Sequence, residues 1–277
     1  MNTRKLIILT FFFFFYQNFD KLKFIDLASS LNQIITPDFT RVPNLEKLVL
    51  SNSTKLHELH SSIGILKKLI LLDLRRCRKL SCLPRKFEME SLVTLELSGC
   101  FDIEKILEFV GNMGCLQELK LDGTGIKELP SSVEGLIGLT SLSLAYCDDL
   151  VCLPSAICSL KSLESLDLSW CLKIDKLPKN LGNVKGLKVL KLSGTAIEEL
   201  PSSIEHLTSL TLLTFNKCKN LMCLPNSIFS LKLGNSLDLA GCSKFDNLPE
   251  NLGNVEGLEK LDLSGTAIKE LPSSIEH

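Results

Sequence analysis

The chain has 277 residues, of which 45% are hydrophobic, and a formal net charge of −1 at pH 7. This charge argues against nucleic-acid binding through a strongly basic surface. The length allows one or two ordinary domains, and with only one Trp and two Tyr, leucine must supply most of the burial.

Residues 1–21 form an apolar leader. Arg4 and Lys5 precede an apolar run over residues 6–16, which is too short to span a membrane and lacks a small-x-small cleavage site. We expect the leader to be artefactual or signal-like. Phe codons are TTT or TTC, Tyr codons are TAT or TAC, and a Gln codon can be CAG, so FFFFFYQ can be encoded by pyrimidine-rich DNA ending in CAG, as at an intron acceptor. One hypothesis is therefore that residues 1–17 are translated intron. A signal peptide and a cap for the following domain are the alternatives.

From residue 22 onward the pattern L-x-x-L-x-L recurs. Its first position falls at residues 22, 45, 69, 92, 116, 139, 163, 187, 210, 234 and 258, in steps of 23 or 24. Leucine occupies 30 of the 33 key slots, the exceptions being Gly234, Ile25 and Phe215. We number positions within each unit from this first slot. A fixed period of this length is typical of repeat architectures.

Alternation at positions 4 and 6 predicts one short strand per unit with its leucines pointing inward. Such a strand cannot bury its own apolar face, whereas stacked units form a parallel sheet over a continuous core. The expected fold is therefore α/β, a curved leucine-rich-repeat solenoid of about eleven repeats, with the strands on the concave face. Two departures, Gly234 in a Leu slot and the irregular stretch 98–115, are expected to weaken local packing.

A Leu-Pro pair follows the strand in most units. The prolines are Pro84, Pro130, Pro154, Pro178, Pro201, Pro225, Pro249 and Pro272. Proline lacks an N–H and has a restricted φ, so it ends strand pairing and can open a helical turn. We therefore predict short helical or 3₁₀ segments on the convex side.

A second period spans three repeats. Residues 180–206 and 251–277 are identical at 22 of 27 positions, and Gly-Thr recurs at the turn of the units that begin at 116, 187 and 258. Because each repeat of a solenoid contacts only its neighbours, duplication of a three-repeat block is tolerated.

Six of the eleven cysteines share position 9: Cys77, Cys100, Cys147, Cys171, Cys218 and Cys242. We expect this position to be a buried turn slot in which a thiol behaves as a small apolar group. Neither the pairing of a disulfide framework nor the spacing of a zinc site is present. The sequence thus predicts no metal, no cofactor and a reducing compartment.

No catalytic constellation is evident, and we expect no enzymatic activity. Acidic residues recur at position 5, on the outward side of the strands, where a solvated polar face is the simplest interpretation. The protein-binding candidates on this concave surface are Arg75, Arg76, Tyr146, Trp170, Lys217, Asp167 and Lys191. Tyr146 and Trp170 share position 8 in consecutive repeats and should be neighbours, and aromatic and Arg residues are enriched in interface hot spots. Alternatively, Trp170 folds over the turn and shields the surroundings of Cys171.

We assign residues 22–277 to the repeat domain, which we expect to be incomplete at its C-terminal end because no polar capping repeat follows. Several stretches, among them TPDFTRVPNLEKLVLS (36–51) and GTAIEELPSSI (194–204), closely resemble the repeat region of plant TIR-type nucleotide-binding disease-resistance proteins. The resemblance covers about residues 20–277.

The resemblance implies a cytoplasmic recognition module of innate immunity. Its protein partners would be a pathogen effector or a guarded host protein, and the nucleotide-binding domain of a full-length receptor, with neither nucleic acid nor a membrane span. The chain contains no G-x-x-x-x-G-K-[ST] loop, so ATP binding does not carry over. The alternatives are a secreted protein (an inhibitor or receptor ectodomain, given the sequon at Asn52), the recruiting part of a ligase or kinase, and a truncated pseudogene product.

Overall fold

The computed structural model describes residues 18–84, 89–106, 108–109, 113–231, 233, 236–254 and 258–273. Within these residues every repeat contributes one three-residue strand at positions 3–5. The strands are β1 Phe24–Asp26, β2 Lys47–Val49, β3 Leu71–Asp73, β4 Thr94–Glu96, β5 Glu118–Lys120, β6 Ser141–Ser143, β7 Ser165–Asp167, β8 Val189–Lys191, β9 Leu212–Thr214, β10 Ser236–Asp238 and β11 Lys260–Asp262. The predicted period and the predicted strand in each unit are confirmed.

Strands β1 to β9 form one parallel sheet in chain order, and β10 pairs with β11 in parallel. The register aligns equal positions of successive repeats, so that Leu72 faces Leu95 and Leu142 faces Leu166. Most leucines at positions 4 and 6 are buried in a single core that extends along the solenoid, and Leu27, Leu261 and Leu263 are partly buried against it. The predicted leucine-rich-repeat architecture is therefore the observed one.

The two irregular places behave differently. Across the stretch 98–115, β4 and β5 pair over their full length, so the sheet is continuous there. Between β9 and β10 the sheet is divided, and Gly234, the residue singled out from the sequence, lies outside the described residues. The turns still connect the two sides, because the Lys217 N–H donates to the Ala240 carbonyl at 2.7 Å.

The sequence predicted short helical or 3₁₀ segments on the convex side. The segments observed in the described connections are 3₁₀. Their bounds are Ser61–Ile65, Ser131–Gly135, Ser155–Ser159, Leu181–Asn183, Ser202–His206, Asn226–Ser230 and Glu250–Asn254. Four begin directly after a proline whose φ lies between −64° and −68°. This restricted φ suits the capping position, where no N–H is needed.

The chain before the first repeat falls largely outside the described residues, which begin at residue 18, so the leader hypothesis for residues 1–17 concerns a part that the structure does not describe. Phe19 packs against the core, and its N–H donates to the Arg41 carbonyl at 2.8 Å. In the described ranges, no helix is both long and apolar enough to cross a membrane.

The position-9 thiols form a ladder inside the turns, which confirms the predicted buried slot. All six are completely buried. Each Sγ donates to the position-6 carbonyl of the preceding repeat, at 3.0 to 3.2 Å. Ser53 makes the same bond to Leu27 at 3.3 Å. The slot therefore requires a small hydrogen-bond donor, which explains why Cys alternates there with Ser and Thr.

Burial makes several of the ladder thiols poor nucleophiles. It raises the pKa of Cys77 to about 11 and also raises the pKa values of Cys100 and Cys171. All eleven cysteines are free; seven are buried, and Cys82, Cys115, Cys152 and Cys223 are exposed. Since the thiolate is the reactive form, the two groups should differ sharply in reactivity.

We expect Ellman's reagent at pH 8 to titrate four thiols rapidly in the native protein and the remaining seven only after denaturation, because burial blocks the access of the reagent to those seven. The substitution Cys82→Ser should lower the fast count by one. Rapid reaction of all eleven thiols without denaturant would contradict the buried ladder.

Candidate functional site

Position 8, directly after the strand and its buried leucine, adopts a left-handed backbone conformation in all eleven repeats. The φ angles lie between 57° and 77°. In the first ten repeats the N–H of this residue donates to the position-7 carbonyl of the next repeat, as from Tyr146 to Ser169 at 2.8 Å and from Trp170 to Ser193 at 2.7 Å. Glycine, which adopts this conformation without strain, occupies the slot in five repeats. The six other residues are Ser29, Asn52, Arg76, Tyr146, Trp170 and Lys217.

Four of the six are bulky and have no special tolerance for this conformation, which costs a residue with a Cβ about 1–2 kcal/mol. These four are Arg76, Tyr146, Trp170 and Lys217, the position-8 candidates predicted from the sequence. Backbone strain of this kind is a reason to look for function. Position 8 lies beyond the carboxyl end of each strand, and the side chains of Arg76, Tyr146 and Lys217 are exposed there.

Three of these side chains form one stack, which we call the aromatic row: Tyr146, Trp170 and Lys217. The rings of Tyr146 and Trp170 are nearly parallel, with centroids 6.2 Å apart and an interplanar angle of 4°. Lys217 Nζ lies 5.4 Å from the centroid of Trp170, within the range of a cation–π contact. The predicted adjacency of Tyr146 and Trp170 is confirmed.

Gly194 lies between Trp170 and Lys217 along the row and makes the stack possible. A Cβ placed on Gly194 would lie 2.7 Å from Cδ2 and Cε3 of Trp170, so the indole lies flat on the bare turn of the next repeat. Trp170 is thereby partly covered, whereas Tyr146 remains 59% exposed. The row thus presents a preorganised, largely aromatic surface.

A second feature adjoins the row, an open depression of about 560 Å³. We call it the arginine depression. Its charged lining comprises Arg75, Arg76, Arg78 and Asp122, and its aromatic lining comprises Phe101 and Tyr146. The structure thus brings the predicted Arg75 and Arg76 to the same cavity as Tyr146.

The arginines of the depression have different surroundings. Nε and Nη2 of Arg75 donate to the Asp73 carboxylate at 3.1 and 2.8 Å, and this hydrogen bond raises the pKa of Arg75. The guanidinium of Arg78 lies 5.8 Å from the ring centroid of Phe101. Neither Arg76 nor Arg78 has an ion pair within the described residues. Arg78 and Phe101 were missed in the sequence, although they share position 10 of consecutive repeats, two residues beyond the slot that drew attention.

Several acidic residues at position 5 have a structural role, and for the buried Asp73 and Glu96 this corrects the interpretation of a solvated face. Asp26, in contrast, is exposed, as that interpretation expects. Asp73 accepts a hydrogen bond from the N–H two residues later, at 3.0 Å, and Glu96 and Asp167 do the same at 3.1 and 2.9 Å. The side chains of Asp73 and Glu96 are only 6% and 11% exposed. These carboxylates satisfy an N–H at the end of the strand, as Asx turns do.

Asp167 and Lys191, the remaining predicted binding residues, lie on neighbouring strands. Lys191 Nζ donates to Asp167 Oδ2 at 3.0 Å. The two opposite charges therefore neutralise each other. Within the described residues, no group of three or more His, Cys, Asp or Glu side chains is arranged to hold a metal ion.

Comparisons with known proteins agree with this architecture. A family profile described as "Disease resistance protein RPS4B-like, leucine-rich repeats" matches residues 159–246. TMV resistance protein N from Nicotiana glutinosa is 39% identical over 261 residues, which is 92% of this chain and 22% of that protein. Disease resistance protein RPP2A from Arabidopsis thaliana is 36% identical over 134 residues, 48% of this chain and 10% of that protein. The chain thus spans less than a quarter of either relative.

Among solved structures, the functional domain of InlJ from Listeria monocytogenes, which includes a cysteine ladder, aligns with a TM-score of 0.67 and 22% identity. The alignment covers 91% of this chain and 51% of that chain. At this identity the likeness concerns the fold alone. The plant relatives and this solved structure together place the chain among leucine-rich-repeat solenoids.

Proposed function

We propose that this chain, a leucine-rich-repeat solenoid whose repeats are those of plant disease resistance proteins, is a non-catalytic protein-recognition module of innate immunity. The observation that carries the proposal is the aromatic row. Tyr146, Trp170 and Lys217 are stacked beside an open sheet face, in a backbone conformation that costs stability. Tyr and Trp are among the residues that protein interfaces concentrate at their centres.

The partners we propose are proteins: a pathogen effector or a guarded host protein, and the nucleotide-binding domain of a full-length receptor. The similarity to TMV resistance protein N over 92% of the chain supports this assignment. We also propose residues 22–277 as the recognition domain. Arg75, Arg76 and the Asp167–Lys191 pair would border the contact made by the aromatic row.

We propose a cytoplasmic location for this module. All eleven cysteines are free, and four of them are exposed. Exposed free thiols are suited to a compartment in which thiols are kept reduced. The ladder itself uses thiols as hydrogen-bond donors, a role that a disulfide would abolish.

Proximity labelling in leaf cells tests the recognition surface. The chain is fused to a biotin ligase and compared with the triple variant Tyr146→Ala, Trp170→Ala and Lys217→Ala. Hot-spot truncations cost 2 kcal/mol or more, so we expect the specifically labelled proteins to decrease at least about tenfold in this variant. The measurement is the abundance of labelled proteins by mass spectrometry.

The matched control replaces Ile137, Lys161 and Lys185 by alanine. These are exposed side chains away from the position-8 turns. The control should label the same proteins as the wild-type chain. If the row variant also labels the same set to the same extent, the aromatic row is not the recognition surface and the proposal fails.

A further inference from the structure

The arginine depression arises from the order of residues at position 8 in four successive repeats. This order is Arg76, Gly99, Gly123 and Tyr146. The two glycines leave the middle of this series without side chains. Arg76 and Tyr146, at its two ends, therefore form opposite rims of the depression. Strands are about 4.8 Å apart, so the rims are separated by about 14 Å. An extended segment of roughly four residues fits this distance at about 3.3 Å per residue.

The two glycines allow the side chains that line the depression to pack closely against the backbone. A Cβ on Gly99 would lie 3.3 Å from Cγ of Arg76, and a Cβ on Gly123 would lie 3.5 Å from Cε1 of Phe101. The stem of Arg76 and the ring of Phe101 therefore rest against bare backbone. Since Phe101 is 54% exposed and Tyr146 is 59% exposed, both rings offer their surfaces to a ligand.

The charge inside the depression is positive. Asp122 supplies the only carboxylate among its described lining residues, and its oxygens already accept hydrogen bonds. The donors are the Ser98 hydroxyl at 3.0 Å, the Ala145 N–H at 3.0 Å and the Ser143 hydroxyl. Arg75 is neutralised by Asp73. The guanidinium groups of Arg76 and Arg78 therefore have unused capacity to bind an anion.

We infer that the arginine depression binds the acidic side chains of an extended segment of a partner protein, with an aromatic or aliphatic side chain of that segment placed against Tyr146 and Phe101. The inference rests on the proposed function and specifies the chemistry of its partner. A carboxylate matches the planar donor fork of arginine, and two arginines separated by one buried cysteine present two such forks. The strained left-handed backbone of Arg76, with φ at 57°, places its guanidinium group at the rim of the depression.

Two fluorescein-labelled peptides test the inference, Gly-Glu-Glu-Phe-Glu-Glu-Gly and its counterpart with Gln in place of Glu. Fluorescence anisotropy should show that the Glu peptide binds at least about tenfold more tightly. The double variant Arg76→Gly and Arg78→Ala should remove this preference while it remains folded, since glycine suits the left-handed slot. The control Lys161→Ala and Lys185→Ala, which removes the same number of charges elsewhere, should keep the preference.

A charge-reversed double variant distinguishes a change of binding preference from a loss of folding, because an unfolded variant would prefer neither peptide. The variant Arg76→Glu and Arg78→Glu should prefer a Lys peptide of the same pattern over the Glu peptide. Equal binding of the Glu and Gln peptides to the wild-type chain would overturn the inference. So would an equal loss of binding in the Lys161 and Lys185 control, or tighter binding of a short single-stranded oligonucleotide than of the Glu peptide.

The failure of this inference is distinguishable from that of the proposed function. If the aromatic-row variant loses its labelled partners while the wild-type chain does not discriminate Glu from Gln peptides, the recognition role stands and the acidic-segment inference falls. If neither experiment shows an effect, both fall.

Discussion

Replacing Leu166 by alanine is expected to lower the free energy of unfolding by about 3 kcal/mol. Leu166 is the central residue of β7, completely buried, and its register partners are Leu142 and Leu190. Truncation leaves a cavity between three stacked repeats, and the pairing of β7 with β6 and β8 limits how far those repeats can move into it. The loss therefore includes the cavity term as well as the transfer term.

Chemical denaturation monitored by circular dichroism measures this change. The matched control is Leu172→Ala, in the turn that follows β7, where the leucine is 53% exposed; it should change stability by less than about 0.5 kcal/mol. Similar losses for the two variants would show that Leu166 is not in a tightly packed core. A lower denaturant slope for the Leu166 variant would indicate that the two halves of the solenoid unfold separately.

The substitution Gly138→Ala is expected to destabilise the protein by about 2–3 kcal/mol, as overpacking does. A Cβ on Gly138 would lie 2.1 Å from the Gly114 carbonyl oxygen and 3.2 Å from its carbon. These are backbone atoms of the preceding repeat, so no side-chain rotation relieves the clash. The two backbones must separate, although the strands that follow Gly114 and Gly138, β5 and β6, are paired in register.

Gly135 supplies a control three residues earlier. A Cβ there meets no heavy atom within 4 Å, and Gly135 ends a 3₁₀ segment. The Gly135→Ala variant should be neutral or more stable by up to about 1 kcal/mol, because alanine reduces the entropy of the unfolded chain. Thermal unfolding of both variants under the same conditions measures the difference. Equal midpoints would show that the close approach at Gly138 is not real.

Part of the candidate site was predictable from arithmetic. When one repeat step equals one strand spacing, residues 23 or 24 apart become neighbours, so Tyr146 and Trp170 had to lie side by side. The left-handed conformation at position 8 was also open to prediction, since five repeats carry glycine there. Extending the same alignment to position 10 would have paired Arg78 with Phe101.

Other features of the site could not be predicted in this way. The burial of Asp73 and Glu96 depends on hydrogen bonds to backbone N–H groups two residues later, and these require the specific turn after each strand. The parallel orientation of the Tyr146 and Trp170 rings depends on how the indole packs against Gly194. An alternating pattern shows which side of a strand faces outward, but not how crowded that side is.

The repeat, its period, the strand in each unit, the leucine core and the small buried slot at position 9 follow from local periodicity repeated eleven times, so they could be predicted from the amino acids alone. Three features required the folded chain. Position-5 carboxylates cap backbone N–H groups, the position-9 thiols donate to the preceding repeat, and two glycines between Arg76 and Tyr146 open a cationic depression. The physical reason is that these features join atoms of different repeats, and their distances are set only when the repeats stack.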